Sequence, residues 1–213
     1  MEKWIAEIEN VNLTLGKQEI LKDISLHIEP GNIYGVVGKN GSGKSMLFKC
    51  MCGFIRPQSG KIRIMGKEIG KEKDFPENTG ILIEAPGFIP YYSGYKNLKL
   101  LADLKGKIKK EQIEKYMIQL GLEPSMRKTV KKYSLGMKQR LGIVQAVMEE
   151  PELLIMDEPM NALDKEGIDE VRRFFKELRT QGKTILLTSH NFEDIQLLCD
   201  KTFEMEHGKL KEV

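Results

Sequence analysis

The feature that most constrains this chain is a glycine-rich segment at residues 38–45, which reads Gly-Lys-Asn-Gly-Ser-Gly-Lys-Ser. It follows a strand-like apolar run at 33–37 and leads into a helix-like run at 44–52. Glycines lack a Cβ atom, so the backbone can adopt positive φ values and bring its N–H groups close to phosphate oxygens. In this context the pattern predicts a strand–loop–helix unit that binds a polyphosphate. A glycine-rich turn with an incidental lysine is the alternative, and it leaves the fixed positions of the pattern unexplained.

The residues of this loop have distinct expected roles if the polyphosphate belongs to ATP. Lys44 should reach the β- and γ-phosphates, which also makes it a candidate catalytic residue. The hydroxyl of Ser45 should ligate Mg²⁺. Further contacts with the nucleotide are expected from Gly38, Asn40, Gly41, Ser42 and Gly43. These roles suit ATP with Mg²⁺, which are the ligands that we expect at this loop.

An acidic pair follows the most strand-like run of the second half of the chain. Residues 153–156 are all apolar, and Asp157 and Glu158 come directly after them. Open α/β sheets bind their ligands at the carboxyl ends of their strands. Asp157 is the natural partner of Mg²⁺, and Glu158 is the natural general base or water-positioning group. The pair could instead cap the next helix, but its place downstream of the phosphate loop favours catalysis.

The segment Ser134-Leu135-Gly136-Met137-Lys138-Gln139 carries a family resemblance. The chain resembles the nucleotide-binding domain of an ABC (ATP-binding cassette) protein, whose signature reads Leu-Ser-Gly-Gly-Gln, with Ser134 and Gly136 at matching positions. In that family the signature faces the γ-phosphate held by the other subunit. The resemblance thus implies nucleotide contacts from Ser134, Gly136 and Gln139. Ser134 should also cap the helix that follows, expected at 137–148, and a plain cap is the alternative interpretation.

The resemblance extends over essentially the whole chain. The run Asn161-Ala162-Leu163-Asp164 is similar to the family's loop that crosses the dimer interface. His190, after a strand-like run at 184–189, matches the histidine that contacts the γ-phosphate, although a histidine in that position is usually structural. Its place downstream of Asp157 and Glu158 favours the catalytic role.

Two residues depart from the family pattern. Leu15, before Gly16, stands where the family usually has an aromatic residue that stacks on adenine. Glu84 stands where the family has a glutamine that senses Mg²⁺, and it remains a candidate metal ligand. Both departures resemble a subgroup tied to bacitracin and lantibiotic resistance, in which the run Ile-Glu-Ala-Pro-Gly, here at 83–87, is recognisable.

The fold implied by the resemblance is α/β. It is a P-loop NTPase core of the ABC ATPase type with an amino-terminal antiparallel β-layer and an inserted helical subdomain. We expect a single domain over 1–213, with the core at 1–83 and 152–213 and the helical subdomain at 84–151. Helices are expected within that subdomain at 95–105, 110–120 and 137–148, and in the core at 165–181 before Gly182. The last expected strand is 202–205.

Composition excludes several other classes of protein. The net charge is only +3 with acids and bases interleaved, so no nucleic-acid footprint is visible. No apolar run has the length of a membrane span, and no amino-terminal segment reads as a secretion signal. We therefore expect a cytoplasmic protein that lies on the inner face of the membrane through a partner. Basic runs at 105–110 and 127–132 are solvated surface or contacts for acidic lipid headgroups. The three cysteines fit packing roles better than a metal site.

The sequence predicts an ATP-binding and ATP-hydrolysing subunit that powers a membrane transporter, an exporter of peptide-like or antibiotic-like compounds. Its expected partners are a second copy of itself or a related ATPase subunit, arranged head to tail, and a separate membrane-spanning permease. Phe88, Tyr91 and Tyr92 either pack in the core or form a groove for that permease. A soluble ABC ATPase acting in translation, chromosome handling or repair is the alternative. A P-loop kinase or GTPase would leave the segment 134–139 unexplained.

Overall fold

The computed structural model describes residues 3–84 and 87–213, which form two β-sheets and the helices around them. The strands in these ranges are β1 (Ala6–Leu15), β2 (Gln18–Ile28), β3 (Ile33–Val37), β4 (Ser59–Ile64), β5 (Lys67–Glu68), β6 (Thr79–Leu82), β7 (Leu153–Met156), β8 (Thr184–Ser189), β9 (Lys201–Glu206) and β10 (Lys209–Glu212). The helices are α1 (Lys44–Met51), α2 (Gly94–Lys105), α3 (Lys110–Gln119), α4 (Leu135–Val147), α5 (Lys165–Thr180) and α6 (Phe192–Leu198), with a 3₁₀ turn at Val130–Lys132. None of the helices formed by the described residues combines the length and the apolar composition of a membrane span.

The smaller sheet is antiparallel, with the strand order β2-β1-β4-β5. Its strand β1 alternates between buried residues, such as Ala6, Ile8 and Leu13, and residues that face outward. This period of two is that of a strand with one face on the core. The β1–β2 hairpin turns at Gly16, where φ is 63°, a conformation that favours glycine. This sheet is the amino-terminal antiparallel layer expected from the sequence.

The larger sheet places the functional segments at one edge. Its strand order is β10-β9-β3-β8-β7-β6, with β9, β3, β8, β7 and β6 parallel and β10 antiparallel to β9. Every residue of β7 and β8 is buried, as expected for parallel strands covered on both faces. Because parallel strands end at the same edge, the segments that follow β3, β6, β7 and β8 meet there. Those segments carry the phosphate loop, Glu84, the Asp157–Glu158 pair and His190.

Helices α2, α3 and α4 lie in the chain between β6 and β7, and α4 packs closely on β6. A Cβ atom on Gly80 would lie 2.0 Å from the carbonyl oxygen of Ala146, so this approach of helix to strand requires glycine. One hydrophobic cluster joins buried residues of the helices and the larger sheet, among them Leu98, Tyr116, Val144, Ile33 and Leu154. The expected boundaries between core and helical subdomain, at 83/84 and 151/152, fall between β6 and α2 and between α4 and β7. The division of the chain into these two subdomains stays a prediction.

Three elements differ from the sequence expectation. Helix α4 begins at Leu135, two residues before the expected start, because Ser134 caps it. Helix α6 was not expected, since seven residues are too few to show a helical period. Strand β10 follows the strand expected to be the last. Its residues are exposed or half-buried and show no clear apolar alternation, so its pairing with β9 defines it.

Candidate nucleotide-binding and hydrolysis site

The phosphate loop connects the end of β3 to the start of α1. Gly38, Gly41 and Gly43 have φ values of 152°, 77° and 116°, all in the region that favours glycine. A Cβ atom on Gly38 would lie 2.3 Å from the backbone oxygen of Met205, so no other residue fits there. The sequence pattern and the backbone therefore agree on a loop that turns sharply and presents its peptide groups.

The side chains of the loop are arranged for an anionic ligand. The ammonium group of Lys44 donates hydrogen bonds to the carbonyl oxygens of Gly38 (2.6 Å) and Lys39 (3.3 Å), which hold it across the start of the loop. The hydroxyl oxygen of Ser42 is buried and has no hydrogen-bond partner among the described residues. Buried polar atoms are nearly always paired, so this hydroxyl fits a site where a phosphate oxygen completes the pairing.

The acidic pair after β7 is held by a residue of the neighbouring strand. The hydroxyl of Thr188 donates to Asp157 Oδ1 (2.6 Å) and accepts from the backbone N–H of Glu158 (2.8 Å). Thr188 is fully buried, and no role of its own was expected for it from the sequence. Its position two residues before His190 is the signal that sequence reasoning missed. The other carboxylate oxygen of Asp157 and the hydroxyl of Ser45 are hard oxygen donors, which suit Mg²⁺.

His190 and Glu158 are in direct contact. The ring Nδ1 of His190 lies 2.9 Å from Glu158 Oε2, and the backbone N–H of His190 donates to the same oxygen at 3.3 Å. The segment that carries His190 is fixed by Asp194, which is buried, bonds to Arg172 and lies 3.4 Å from the hydroxyl of Ser189. The structure thus brings together Glu158, the expected base, and His190, the residue expected to contact the γ-phosphate.

Glu84 has a cationic neighbour that the sequence did not suggest. Its Oε1 lies 2.5 Å from the ammonium group of Lys49 on α1, and its backbone has a positive φ of 60°. To ligate Mg²⁺ directly, the carboxylate must leave this ion pair or use its other oxygen. Ala85 and Pro86, which belong to the run at 83–87, lie outside the described residues.

The signature segment begins α4 and lies apart from the phosphate loop of the same chain. The hydroxyl of Ser134 accepts from the N–H of Met137 (3.1 Å), so Ser134 is the expected cap, and its side chain is exposed. Gly136 packs against the loop after Glu158, since a Cβ atom there would lie 3.0 Å from Ala162 O. Gln139 instead donates to the backbone oxygens of Glu158 and Pro159, a contact the sequence did not suggest.

Two cavities flank the phosphate loop. The larger, of about 1060 Å³, has Gly38, Lys39 and Asn40 on one side and Glu158, Asn161 and His190 among the residues opposite. The other, of about 590 Å³, is bordered by Gly41 and Ser42, by the start of β2 and by the β9–β10 turn. Leu15 is 44% exposed and does not line this second cavity. The groups expected to act in hydrolysis therefore face one side of the loop, and the other side has room for the rest of a nucleotide.

Comparison with known proteins places this site in a family. The sequence profile of the ABC transporter family matches residues 21–161. The ABC transporter ATP-binding protein YybJ of Bacillus subtilis is 42% identical over 206 residues, which cover 96% of this chain and 94% of that protein. The bacitracin transport ATP-binding protein BcrA of Enterococcus faecalis is 40% identical, with 99% and 69% covered. The lantibiotic transport ATP-binding protein SrtF of Streptococcus pyogenes is 34% identical, with 96% and 88% covered.

Solved structures have the same fold. The structure of cbiO1 from Clostridium perfringens, part of the ABC transporter complex cbiONQ, superposes with a TM-score of 0.84 at 28% identity, covering 99% of this chain and 88% of that one. The ATP-binding cassette MJ0796, a dimer bound to ADP and Pi, gives 0.87 at 20% identity, with 98% and 97% covered, and shows the fold alone. The family and the fold class expected from the sequence are confirmed. The chain belongs to the ABC transporter family, as an ATP-binding subunit whose ATPase activity energises a transporter.

Proposed function

We propose that this subunit powers the export of peptide-like antibiotics. The observation that supports this cargo class most directly is its similarity, over nearly the whole chain, to ATP-binding subunits named for bacitracin and lantibiotic transport. Glu84 and Leu15, the two departures from the general pattern, favour the same subgroup. The alternative of a soluble ABC ATPase has no comparable support among these relatives.

The geometry supports a hydrolytic mechanism in which each residue has one task. The loop peptides and Lys44 bind the β- and γ-phosphates, while Ser45 and Asp157 would hold Mg²⁺. Mg²⁺, when bound, neutralises charge on the phosphates. Glu158 accepts a proton from water as the water oxygen attacks the γ-phosphorus, and the bond to the ADP oxygen breaks. His190 holds one oxygen of Glu158, which leaves the other free to face the water.

A second subunit would complete the site. Ser134 is exposed and does not line either cavity beside its own phosphate loop. A hydroxyl at a helix start is suited to bind an anion, here the γ-phosphate on a partner. We therefore assign the partner as a second copy, or a related ATPase subunit, in a head-to-tail dimer. The dimeric MJ0796 cassette, which has the same fold, is consistent with this arrangement.

The membrane partner is proposed to dock in a groove between helices α2 and α4 and strand β6 of the larger sheet. The groove has a volume of about 830 Å³, and its lining includes Phe75, Leu101 and Leu104. Phe75 and Leu104 are 58% and 83% exposed. Large exposed apolar side chains that line one groove are typical of a protein interface. Through such a permease the subunit would lie at the inner face of the membrane.

The cargo assignment is tested by growth. The chain is expressed with the membrane protein encoded beside its gene in a bacitracin- and lantibiotic-sensitive host. We expect the inhibitory concentration of one of these compounds to rise severalfold, and the rise to disappear with Glu158→Gln. Unchanged sensitivity to both compounds, with both proteins present and ATP hydrolysed, would contradict the proposed cargo and leave the ATPase assignment intact.

The docking groove is tested separately by co-purification. Leu104→Ser and Phe75→Ser should each reduce recovery of the permease with the tagged subunit. Neither should change the thermal unfolding temperature, since both side chains are exposed. Ile118→Ser is the matched control, because Ile118 is a 63% exposed apolar residue on α3 outside the groove. Equal loss in the control would show that the groove has no special role.

A further inference from the structure

The side chain of Gln139 connects α4 to the turn that carries Glu158. Its Nε2 donates to the carbonyl oxygen of Glu158 and to that of Pro159, each at 3.0 Å. A side-chain amide has two N–H hydrogens, so both donors are engaged within the chain. The remaining Oε1 only accepts hydrogen bonds and cannot bond to phosphate oxygens that carry no proton. The nucleotide contact expected for Gln139 would therefore require at least one of these two bonds to break.

The backbone that Gln139 contacts is in an uncommon conformation. Glu158 has a φ of 49°, in the left-handed region that residues with a side chain rarely adopt. Its N–H donates to Thr188 Oγ1 at 2.8 Å, and its carbonyl oxygen also accepts from the N–H of Asn161 at 3.1 Å. The peptide groups on both sides of the Glu158 Cα are thus held, one by β8 and the other by α4. Because the side-chain direction follows the backbone, these bonds set where the carboxylate points.

Gln139 belongs to the helix that begins with the signature segment. Ser134 caps that helix, and Gly136 in its first turn contacts the loop at Ala162. An α-helix moves largely as a rigid rod, so a displacement at Ser134 also displaces Gln139. The two carbonyl oxygens bonded to Gln139 belong to the turn that carries Glu158. A physical link therefore runs from the exposed start of α4 to Glu158 in the same chain.

We infer that Gln139 is a positioning residue for the ATPase reaction, which couples the position of α4 to the orientation of the Glu158 carboxylate. It acts within its own chain and does not contact the nucleotide. The inference rests on the proposed role of Glu158 as the general base. In a dimer, binding of Ser134 to the partner's nucleotide would displace α4. Through Gln139, that displacement would change the orientation of the Glu158 carboxylate in the same chain.

The test compares side chains that keep or remove the two donors. Gln139→Glu has nearly the same shape but presents a carboxylate to the two carbonyl oxygens, whereas Gln139→Lys restores N–H donors. We expect Gln139→Glu to lower kcat by about tenfold or more, because two ordinary hydrogen bonds are lost. The KM for ATP should stay within about twofold. Gln139→Lys should recover most of that rate. Gln119→Glu, the same change at an exposed site on α3, is the matched control and should leave both constants unchanged.

Each contrary outcome has a definite meaning. A wild-type kcat in Gln139→Glu overturns the inference, and so does a raised KM with unchanged kcat, which is the result expected of a nucleotide contact. Gln139→Lys as slow as Gln139→Glu, with both proteins folded by thermal unfolding, also overturns it, because donors would then not matter. Glu158→Gln is measured beside them. If it turns over normally, the assignment of the base fails, whereas an inactive Glu158→Gln with an active Gln139→Glu overturns the positioning role alone.

Discussion

The imidazole ring of His190 lies against the carboxylate of Glu158, with Nδ1 2.9 Å from Oε2. The Glu158 side chain is 20% exposed and the His190 side chain is 62% exposed, so the carboxylate lies beneath the ring at the wall of the larger cavity. Since one carboxylate oxygen is bonded to His190, the orientation of the other is fixed as well. This pair joins the segments that follow β7 and β8, and in the proposed mechanism it leaves one oxygen of Glu158 for the attacking water.

Glu158→Gln should nearly abolish turnover and leave ATP binding intact. A glutamine cannot accept the proton of the attacking water, and positioned general bases typically contribute about 10²–10⁴-fold to a rate. The phosphate loop and Asp157 remain, so nucleotide affinity should be unchanged and the ATP-bound dimer should accumulate. Steady-state ATPase assays and equilibrium binding of ATP measure the two effects. Lys44→Ala is the contrasting variant, and it should weaken binding itself; a wild-type rate in Glu158→Gln would exclude Glu158 as the base.

Ser134→Arg should block ATP-dependent dimerisation and spare ATP binding by the monomer. The exposed Ser134 caps the start of α4. A bulky cation there would occupy the place where the partner's γ-phosphate docks. Light scattering with and without ATP, in a Glu158→Gln background, gives the size of the particle. An undiminished dimer in the double variant would count against the role of this segment.

Leu15→Tyr should tighten ATP binding by a few-fold without changing its Mg²⁺ dependence, because position 15 ends β1 beside Lys17 and Gln18, which line the second cavity, and a tyrosine ring extends further than leucine. An aromatic ring adds about 0.5–1.5 kcal/mol beyond the area that it buries, or about a two- to tenfold change in affinity. The wild-type chain should bind ATP weakly and discriminate poorly against GTP. Titration with a fluorescent ATP analogue and competition with GTP measure both. A strong preference for ATP in the wild type would show that another residue contacts the base. His207, which lines the cavity beside Ser42, is the candidate for that contact.

Glu84→Gln should raise the Mg²⁺ concentration that gives half-maximal ATPase activity, by about tenfold if Glu84 contributes to the metal site. The reason is that an amide is a weaker donor to a hard cation than a carboxylate is. Lys49→Met, which removes the ammonium group 2.5 Å from Glu84, should shift the requirement in the opposite direction. Magnesium titrations of the ATPase rate in the wild type and in both variants measure these shifts. Identical curves for all three proteins would assign Glu84 to the ion pair alone.

The three cysteines should react slowly with thiol reagents in the folded protein at pH 8. Burial raises the pKa of Cys50 to about 11 and that of Cys52 to about 12, and burial with the charges of Asp200 and Asp194 raises the pKa of Cys199 to about 12. The thiolate is the reactive form, so raised pKa values keep these thiols protonated and inert at pH 8. Iodoacetamide labelling followed by mass spectrometry, with and without denaturant, measures this. Rapid labelling of the native protein would contradict the packing role assigned to them.

The chemistry of the phosphate loop was readable from the sequence because its determinants are contiguous. Gly38, Gly41 and Gly43 act through their own φ values, and each of these values is fixed by local stereochemistry. The strand before the loop and the helix after it were equally visible in their patterns. Asp157 and Glu158 could be assigned because a fully apolar strand precedes them. Their order along the chain, together with the signature segment, was sufficient to indicate the family.

Tertiary structure decided which groups meet around those residues. Thr188 bonds to Asp157 from a strand 31 residues away, Gln139 reaches the Glu158 turn from 19 residues away, and Lys49 pairs with Glu84 from 35 residues away. The group that each of these residues bonds to is not marked by any local pattern, because each contact depends on how β7, β8, α1 and α4 pack. Strand β10 is also defined only by the strand beside it. The residues expected to react can be named from contiguous stretches of sequence. How they are held depends on the packing of the sheet and helices, since the orientation of a side chain depends on neighbours that are distant in the chain.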